Sequence, residues 1–194
     1  MALQLGPVTA VLIGICAAVA LLSRLGENND VLDKLFISIN PESKALPEVM
    51  HGEVWRLATP LFLHFGWIHL IFNMMWLKDL GSAIERVFGR TTLLLQVFGI
   101  GILSNLGEYF FSRPFFGGMS GVVYGMLGFL WMKSKFDPGC GLRLSKQTIV
   151  MMIAWFFICM TGALGDIANY AHGFGLALGM AWGYLAPKTV RQGM

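Results

Sequence analysis

The chain has 194 residues, 56% of them hydrophobic and only 13% charged, with a net charge of +3 and a mean hydropathy of +0.65. Soluble domains carry about 25% charged residues, so an ordinary water-soluble globule is excluded. The basic residues lie in short loops between apolar runs and cover no single face, so nucleic acid is not the expected partner.

A hydrocarbon core of about 30 Å needs about 20 residues of helix to cross it. Six apolar runs read as such spans: 6–23, 66–87, 91–111, 120–135, 147–162 and 167–186, the fourth and fifth being short. In lipid every backbone polar group must be satisfied within the chain, so these runs predict helices and not open sheet. The expected fold is all-α, a polytopic membrane bundle of six transmembrane helices. It forms one domain over 1–194 with no separate soluble domain. The first run follows an uncharged start, Met1 to Leu5, with neither a basic leader nor a cleavage site, and reads as a retained span.

The loop after it is net acidic, with Glu27, Asp30, Asp33, Glu42, Glu48 and Glu53. Within it "DVLDKLFISIN", Asp30 to Asn40, suits either a segment in the membrane interface or a surface loop. Lys and Arg collect on the cytoplasmic side. Arg86 and Arg90 lie at the junction of runs two and three, Lys133, Lys135, Arg143 and Lys146 around the connection from four to five, and Lys188 and Arg191 after six. These regions share the cytoplasmic side, which puts both termini there and the acidic loop outside. Cys16, Cys140 and Cys159 are odd in number, and two fall in apolar runs, so no disulfide framework follows.

Polar side chains inside spans are costly and therefore point to function. Run two opens on "HFGWIHLIFN", with His64 at the mouth and His69 and Asn73 inside, four residues apart and so on one helix face. Run four opens with Ser120 after "GGM", and run six carries His172 in "DIANYAHGFGLALG". Runs two, four and six all enter from the outer side, so His69, Asn73, Ser120 and His172 sit at one shallow depth. Ala171, Gly175, Gly179 and Gly183 form a small-residue stripe on run six, and Gly121 and Gly125 form one on run four. Such stripes let membrane helices touch backbone to backbone, which would bring the hydroxyl to the imidazole. Helix packing alone would explain the glycines but not the histidine.

A serine hydroxyl is a weak nucleophile until a neighbouring base takes its proton, and neutral histidine suits that task. Attack on a carbonyl creates an oxyanion that needs preorganised donors. Ser120, at a helix start, offers free backbone N–H groups, and His69 and Asn73 are candidate side-chain donors. Gly118 lets the chain bend before the helix and Gly121 removes bulk beside the nucleophile. Tyr124, one turn below Ser120, either packs against His172 to orient it or is a plain buried tyrosine. Asp166 lies six residues before His172, on another face, and does not complete a triad. His51 falls in the polar loop and reads as solvated.

These pieces resemble the rhomboid family of intramembrane serine proteases, in particular bacterial members with a bare six-helix core. The matching segments are "VWRLATPLFLH" with Trp55 and Arg56, "HFGWIHLIFN", "GSAIERVFG" with Glu85, "GMSG" with Tyr124 following, and "AHGFGLALG". They run in family order over nearly the whole chain. The resemblance implies a Ser120–His172 catalytic dyad and an oxyanion hole from the Ser120 amide, His69 and Asn73. It implies no cofactor and no metal, with single-span membrane proteins as substrates and the bilayer as surroundings. It also implies a bacterial inner membrane location with the active site opening toward the periplasm. The loop at about 161–168 with the outer part of run five would gate entry, and Arg56 and Glu85 would be structural anchors. Some relatives carry a cytosolic domain before the first helix, and this chain is expected to lack one. Lys78 and Asp79, deep in run two, have no functional account.

Other chemistries fit less well. A zinc protease needs a His-Glu-x-x-His pattern, which is absent, although His64, His69 and His172 together form a conceivable metal cluster. An aspartyl protease needs two carboxylates at one site, whereas the expected topology puts Asp137 and Asp166 on opposite sides. A transporter or channel would show more intramembrane charge or a repeated half.

Overall fold

A computed structural model of the chain describes residues 4–163 and 165–188, all helix, turn and loop with no strand among them. In chain order the helices are α1 (Pro7–Leu22), α2 (Asn29–Leu35), α3 (Pro47–Met50), α4 (Trp67–Trp76), α5 (Ser82–Phe88), α6 (Arg90–Leu95), α7 (Gly101–Phe111), α8 (Ser120–Phe136), α9 (Lys146–Met160) and α10 (Asn169–Leu185). Single π-helical turns, Leu77–Gly81 and Gln96–Ile100, join α4 to α5 and α6 to α7 into two long rods. Every long helix or rod begins and ends within two residues of an apolar run expected from the sequence. Residues 1–3 of the uncharged start, Leu164 of the 161–168 loop and Arg191 lie outside the described residues.

Local chemistry explains where helices start and stop. Pro7 occupies the first helical position of α1, where its missing N–H leaves nothing unsatisfied. Ser145 caps α9 by accepting the Thr148 N–H at 3.0 Å. Pro138 follows the end of α8 and prevents its continuation. Among the described residues one helix, Arg90–Phe111, is long and apolar enough to cross a membrane on length and composition alone, with 22 residues and a mean hydropathy of 1.3 over its apolar stretch. The apolar helices α1 and α9 are shorter, at 16 and 15 residues.

The centre of the molecule is α8, in which every residue from Gly121 to Leu130 is buried. It lies against α10 at backbone distance. A Cβ placed on Gly175 would run into the Gly121 carbonyl, one on Gly179 into the Gly125 carbonyl, and one on Gly183 into the Phe129 carbonyl. The three pairs advance four residues at a time on both helices, so α8 and α10 run parallel with their starts side by side. Gly121 and Gly125 of α8 also meet Ser104 and Ile100, beside the α10 contact.

Charged side chains from distant parts of the chain satisfy the helix ends. Glu85 accepts the Val8 and Thr9 N–H groups, each at 2.9 Å, at the start of α1, where no local side chain caps the helix. Lys133, 2% exposed, donates to the Ala186 and Pro187 carbonyls past the end of α10 and pairs with Asp137 at 3.1 Å. Arg56 donates to the Asp33 and Phe36 carbonyls at the end of α2, and Lys44 to the Tyr109 and Ser112 carbonyls at the end of α7. Arg56 and Glu85 thus sit where an anchor would. The Asp30–Asn40 segment is half helix and half irregular loop, and it turns Leu32, Phe36 and Ile37 inward. Lys78 and Asp79 are exposed on a π-helical turn, and nothing in the structure assigns them a role. All three cysteines are free and buried.

The α8–α10 contact predicts an asymmetry between glycines. Gly179→Ala, which drives a methyl into the Gly125 backbone, is expected to destabilise the protein by about 2 kcal/mol or more. Gly14→Ala, where an added Cβ meets nothing within 4 Å, is expected to be neutral or stabilising by up to about 1 kcal/mol. Melting of the two variants in detergent measures the difference, and equal melting temperatures would contradict the packing.

Candidate active site

Ser120 is the first residue of α8, and the chain just before it explains how its hydroxyl is presented. Gly118 has φ +124°, a conformation that favours glycine, and donates its N–H to the Pro60 carbonyl at 2.9 Å. The next residue, Met119, offers no side-chain cap, and the first intrahelical bond closes from the Val123 N–H to the Met119 carbonyl. The amides of Ser120, Gly121 and Val122 therefore have no partner within the helix. Ser120 itself is half-buried.

His172 lies one turn into α10 and is 4% exposed. Its Nε2 stands 2.8 Å from the Ser120 Oγ. The Nδ1 is buried without a hydrogen-bond partner. Packing holds the ring instead: the Tyr124 ring is tilted 42° to it at a centroid distance of 4.8 Å, and Phe156 lies 6.5 Å away. The Tyr124 hydroxyl donates to the Met152 carbonyl of α9 at 3.2 Å, so this residue is both the ring's neighbour and a hydrogen-bonded core tyrosine. Asp166 turns away from His172 and accepts from Arg113 Nη1 at 2.7 Å. That hydrogen bond, together with the guanidinium charge, holds the Asp166 carboxyl below the usual range. The tie is intact above the ordinary aspartate value, about 3.9, and is lost as pH falls through the lowered one.

His69 and Asn73 approach from α4. The His69 Nδ1 accepts the Phe65 N–H at 3.2 Å, which in the neutral ring assigns the proton to Nε2. That nitrogen borders the space beside Gly118: a Cβ built there would lie 2.6 Å from His69 Nε2 and 3.7 Å from Ser120 Oγ. The Asn73 Nδ2 donates to the His69 carbonyl at 2.9 Å, one turn back in its own helix, while its buried Oδ1 has no partner. One amide N–H of Asn73 is therefore taken up by the helix, and one is left over.

His64, expected at the mouth of run two, is instead fully enclosed. It packs 5.1 Å from the His69 ring and its Nδ1 lies 3.1 Å from the Phe62 carbonyl. The reason is that residues 63–66 precede α4 as a loop, with Leu63 drawn into a cluster with Leu32 and Phe36. Among the described residues, no three His, Cys, Asp or Glu side chains are grouped to hold a metal ion. His51 is exposed and bonded to the Pro47 carbonyl. Gly121 lets α8 close on its neighbours, since a Cβ there would lie 3.0 Å from Ser104 Cβ and 3.2 Å from the Ala171 carbonyl.

Sequence reasoning passed over Glu108. It lies three residues before the end of the third apolar run, is 2% exposed, and accepts the Ala171 N–H at 3.0 Å beside His172. A carboxylate inside an apolar run was the available signal. The assembled groups are a hydroxyl within hydrogen-bond reach of an imidazole, free helix-start amides, and a second imidazole N–H facing the same space. That combination suits nucleophilic attack on a carbonyl and stabilisation of the resulting oxyanion.

Comparison with known proteins agrees in kind. The rhomboid domain family matches residues 51–189. The chain is 33% identical over 181 residues to a rhomboid protease GlpG of Klebsiella pneumoniae, covering 93% of this chain and 63% of that protein. It is 32% identical over 188 residues to a rhomboid protease GlpG of Salmonella paratyphi A, covering 96% and 66%. The chain thus spans somewhat less than two thirds of the length of these relatives.

Gly118→Ala is expected to push the His69 ring out of place, because the new methyl meets Nε2 at 2.6 Å. Reaction of Ser120 with a fluorophosphonate, whose phosphoryl oxygen needs the same donors, should then slow on the order of hundredfold. Labelling at the unsubstituted rate would remove His69 from the site.

Proposed function

The chain belongs to the rhomboid family, and on that footing we propose that it is an intramembrane serine endopeptidase that cleaves membrane proteins in or beside a transmembrane segment. The observation that carries the reading is the 2.8 Å contact between Ser120 Oγ and His172 Nε2. His172 takes the hydroxyl proton as Oγ attacks the scissile carbonyl, and the oxyanion is held by the Ser120 N–H, His69 Nε2–H and the spare Asn73 N–H. The imidazolium then gives its proton to the leaving amine, and water attacks the acyl-enzyme by the reverse sequence. The dyad works without a carboxylate partner on Nδ1, and Tyr124 packing orients the ring.

The six long helices and rods are the transmembrane spans, within one membrane domain over 1–194. Outward apolar side chains such as Val11, Ile71, Leu95, Val150 and Phe157 suit lipid on every side. At about 1.5 Å per residue, α1 and α9 reach only about 24 and 23 Å, so the bilayer thins or the helices' polar flanks bend to meet it. The location is a bacterial inner membrane with both termini cytoplasmic. The Ser120 end of α8 faces the periplasm, and the 161–168 loop with the outer end of α9 gates substrate entry. Single-span proteins are the substrates, because one helix must unwind to lay extended backbone beside Ser120, and neither metal nor cofactor takes part.

Detergent-solubilised protein is expected to cleave a single-span test substrate, and Ser120→Ala and His172→Ala are each expected to abolish cleavage. Persistent cleavage by the Ser120 variant, or its loss on adding a chelator to the unsubstituted protein, would overturn the mechanism. Asn73→Ala should keep partial activity, reduced by about tenfold to a few hundredfold, because two donors remain. Activity measured for Asn73→Ala as low as for Ser120→Ala would demand another role for the amide.

A further inference from the structure

Helix α10 carries His172, yet its start has no local cap: Ala168 precedes it, and no side chain of the segment satisfies its first amides. The first intrahelical bond runs from the His172 N–H to the Ala168 carbonyl at 3.2 Å, so the Ala171 N–H is one of the donors a helix start leaves open. It is filled from 63 residues away by Glu108 Oε2 at 3.0 Å, from a side chain 2% exposed. The other end of the same helix is closed by Lys133, whose buried ammonium donates to the Ala186 and Pro187 carbonyls. A buried hydrogen-bond acceptor at the amino end and a buried cation at the carboxyl end both suit the helix dipole. The pair fixes α10 along its axis as well as capping it.

We infer that Glu108 is a positioning residue for His172: its carboxylate sets the height of α10 against α8 so that Nε2 stays within hydrogen-bond reach of Ser120 Oγ. The glycine stripes do not determine this height. They set how closely the helices approach, but two smooth faces that repeat every four residues also fit after sliding. The acceptor on the amide next to His172 removes that freedom at the point where the chemistry needs it. Glu108 touches neither substrate nor the reacting atoms. It acts through hydrogen bonds to the backbone at the start of α10, at Ala171 and Tyr170, so a neutral acceptor of the same length should serve. This inference rests on the serine protease reading above.

The test compares Glu108→Gln with Glu108→Met, which keeps the length and removes the acceptor, using cleavage of a single-span substrate and fluorophosphonate labelling of Ser120. E108M is expected to lower kcat and the labelling rate on the order of tenfold to hundredfold, with KM within about twofold of the unsubstituted protein because substrate docking is untouched. E108Q is expected to stay within about threefold on all three measures. Independently of any variant, the Ala171 amide of the unsubstituted protein should be protected from hydrogen exchange despite lying in a first turn. E108M working at the unsubstituted rate, E108Q falling as far as E108M, or an Ala171 amide exchanging like an open peptide would each overturn the inference. If the unsubstituted protein neither cleaves nor labels, the protease reading fails first. If it does both and E108M matches it, only the role of Glu108 fails.

Discussion

The backbone-to-backbone contact of α8 with α10 sets most of what surrounds it. Three glycines of α10 stand where any Cβ would strike a main-chain carbonyl of α8. Between membrane helices there is little hydrophobic force, so close packing and polar contacts must supply the association. Parallel contact at this distance lets the start of α10 lie beside the start of α8. A hydroxyl on the first residue of one helix then lies 2.8 Å from an imidazole one turn into the other. A single β-carbon in the stripe would separate the helices and with them the two side chains.

Close contact alone leaves helix ends open, and the chain closes them with charge brought from afar. Glu85 serves α1, Arg56 serves α2, Lys44 serves α7, and α10 is served at its two ends by Glu108 and Lys133. Carboxylates go to amino ends and cations to carboxyl ends, as the dipole requires. The bonds also act as long-range ties, since each joins segments well separated in sequence. The acidic first loop is held the same way, with Arg56 reaching back to residues 33 and 36 and Thr59 donating to the Leu35 carbonyl at 2.8 Å.

The serine and the two nearest imidazoles are held by different means. Ser120 is presented by a left-handed glycine and a helix start, His172 by aromatic packing and the α10 caps, and His69 by an amide that fixes its tautomer. No carboxylate among the described residues hydrogen-bonds to the His172 Nδ1. The aspartate nearest in sequence, Asp166, is instead turned outward by Arg113. A ring without a polar partner on its far side depends on its surroundings for orientation, which is why Tyr124 and Phe156 flank it closely.

Helix boundaries were legible in the sequence because hydrophobic runs and helix-start residues act over a few neighbours, and the runs match the helices to within two residues. The small-residue stripes on 121–125 and 171–183, and the polar positions His69, Asn73, Ser120 and His172, were visible for the same reason. Three things were not. Lys133 reads as a loop charge that marks topology, yet it is a buried cap. His64 reads as lying at a helix mouth, yet the loop before α4 carries it inside. Glu108 draws no reading from the sequence, yet it bonds to the amide beside His172. Their partners lie tens of residues away, or belong to a loop whose path no local pattern records. Periodicity determines which residues form a helix and which face is small or apolar. How high each helix stands against its neighbour, and which distant charge ends it, follow only once the whole chain has packed.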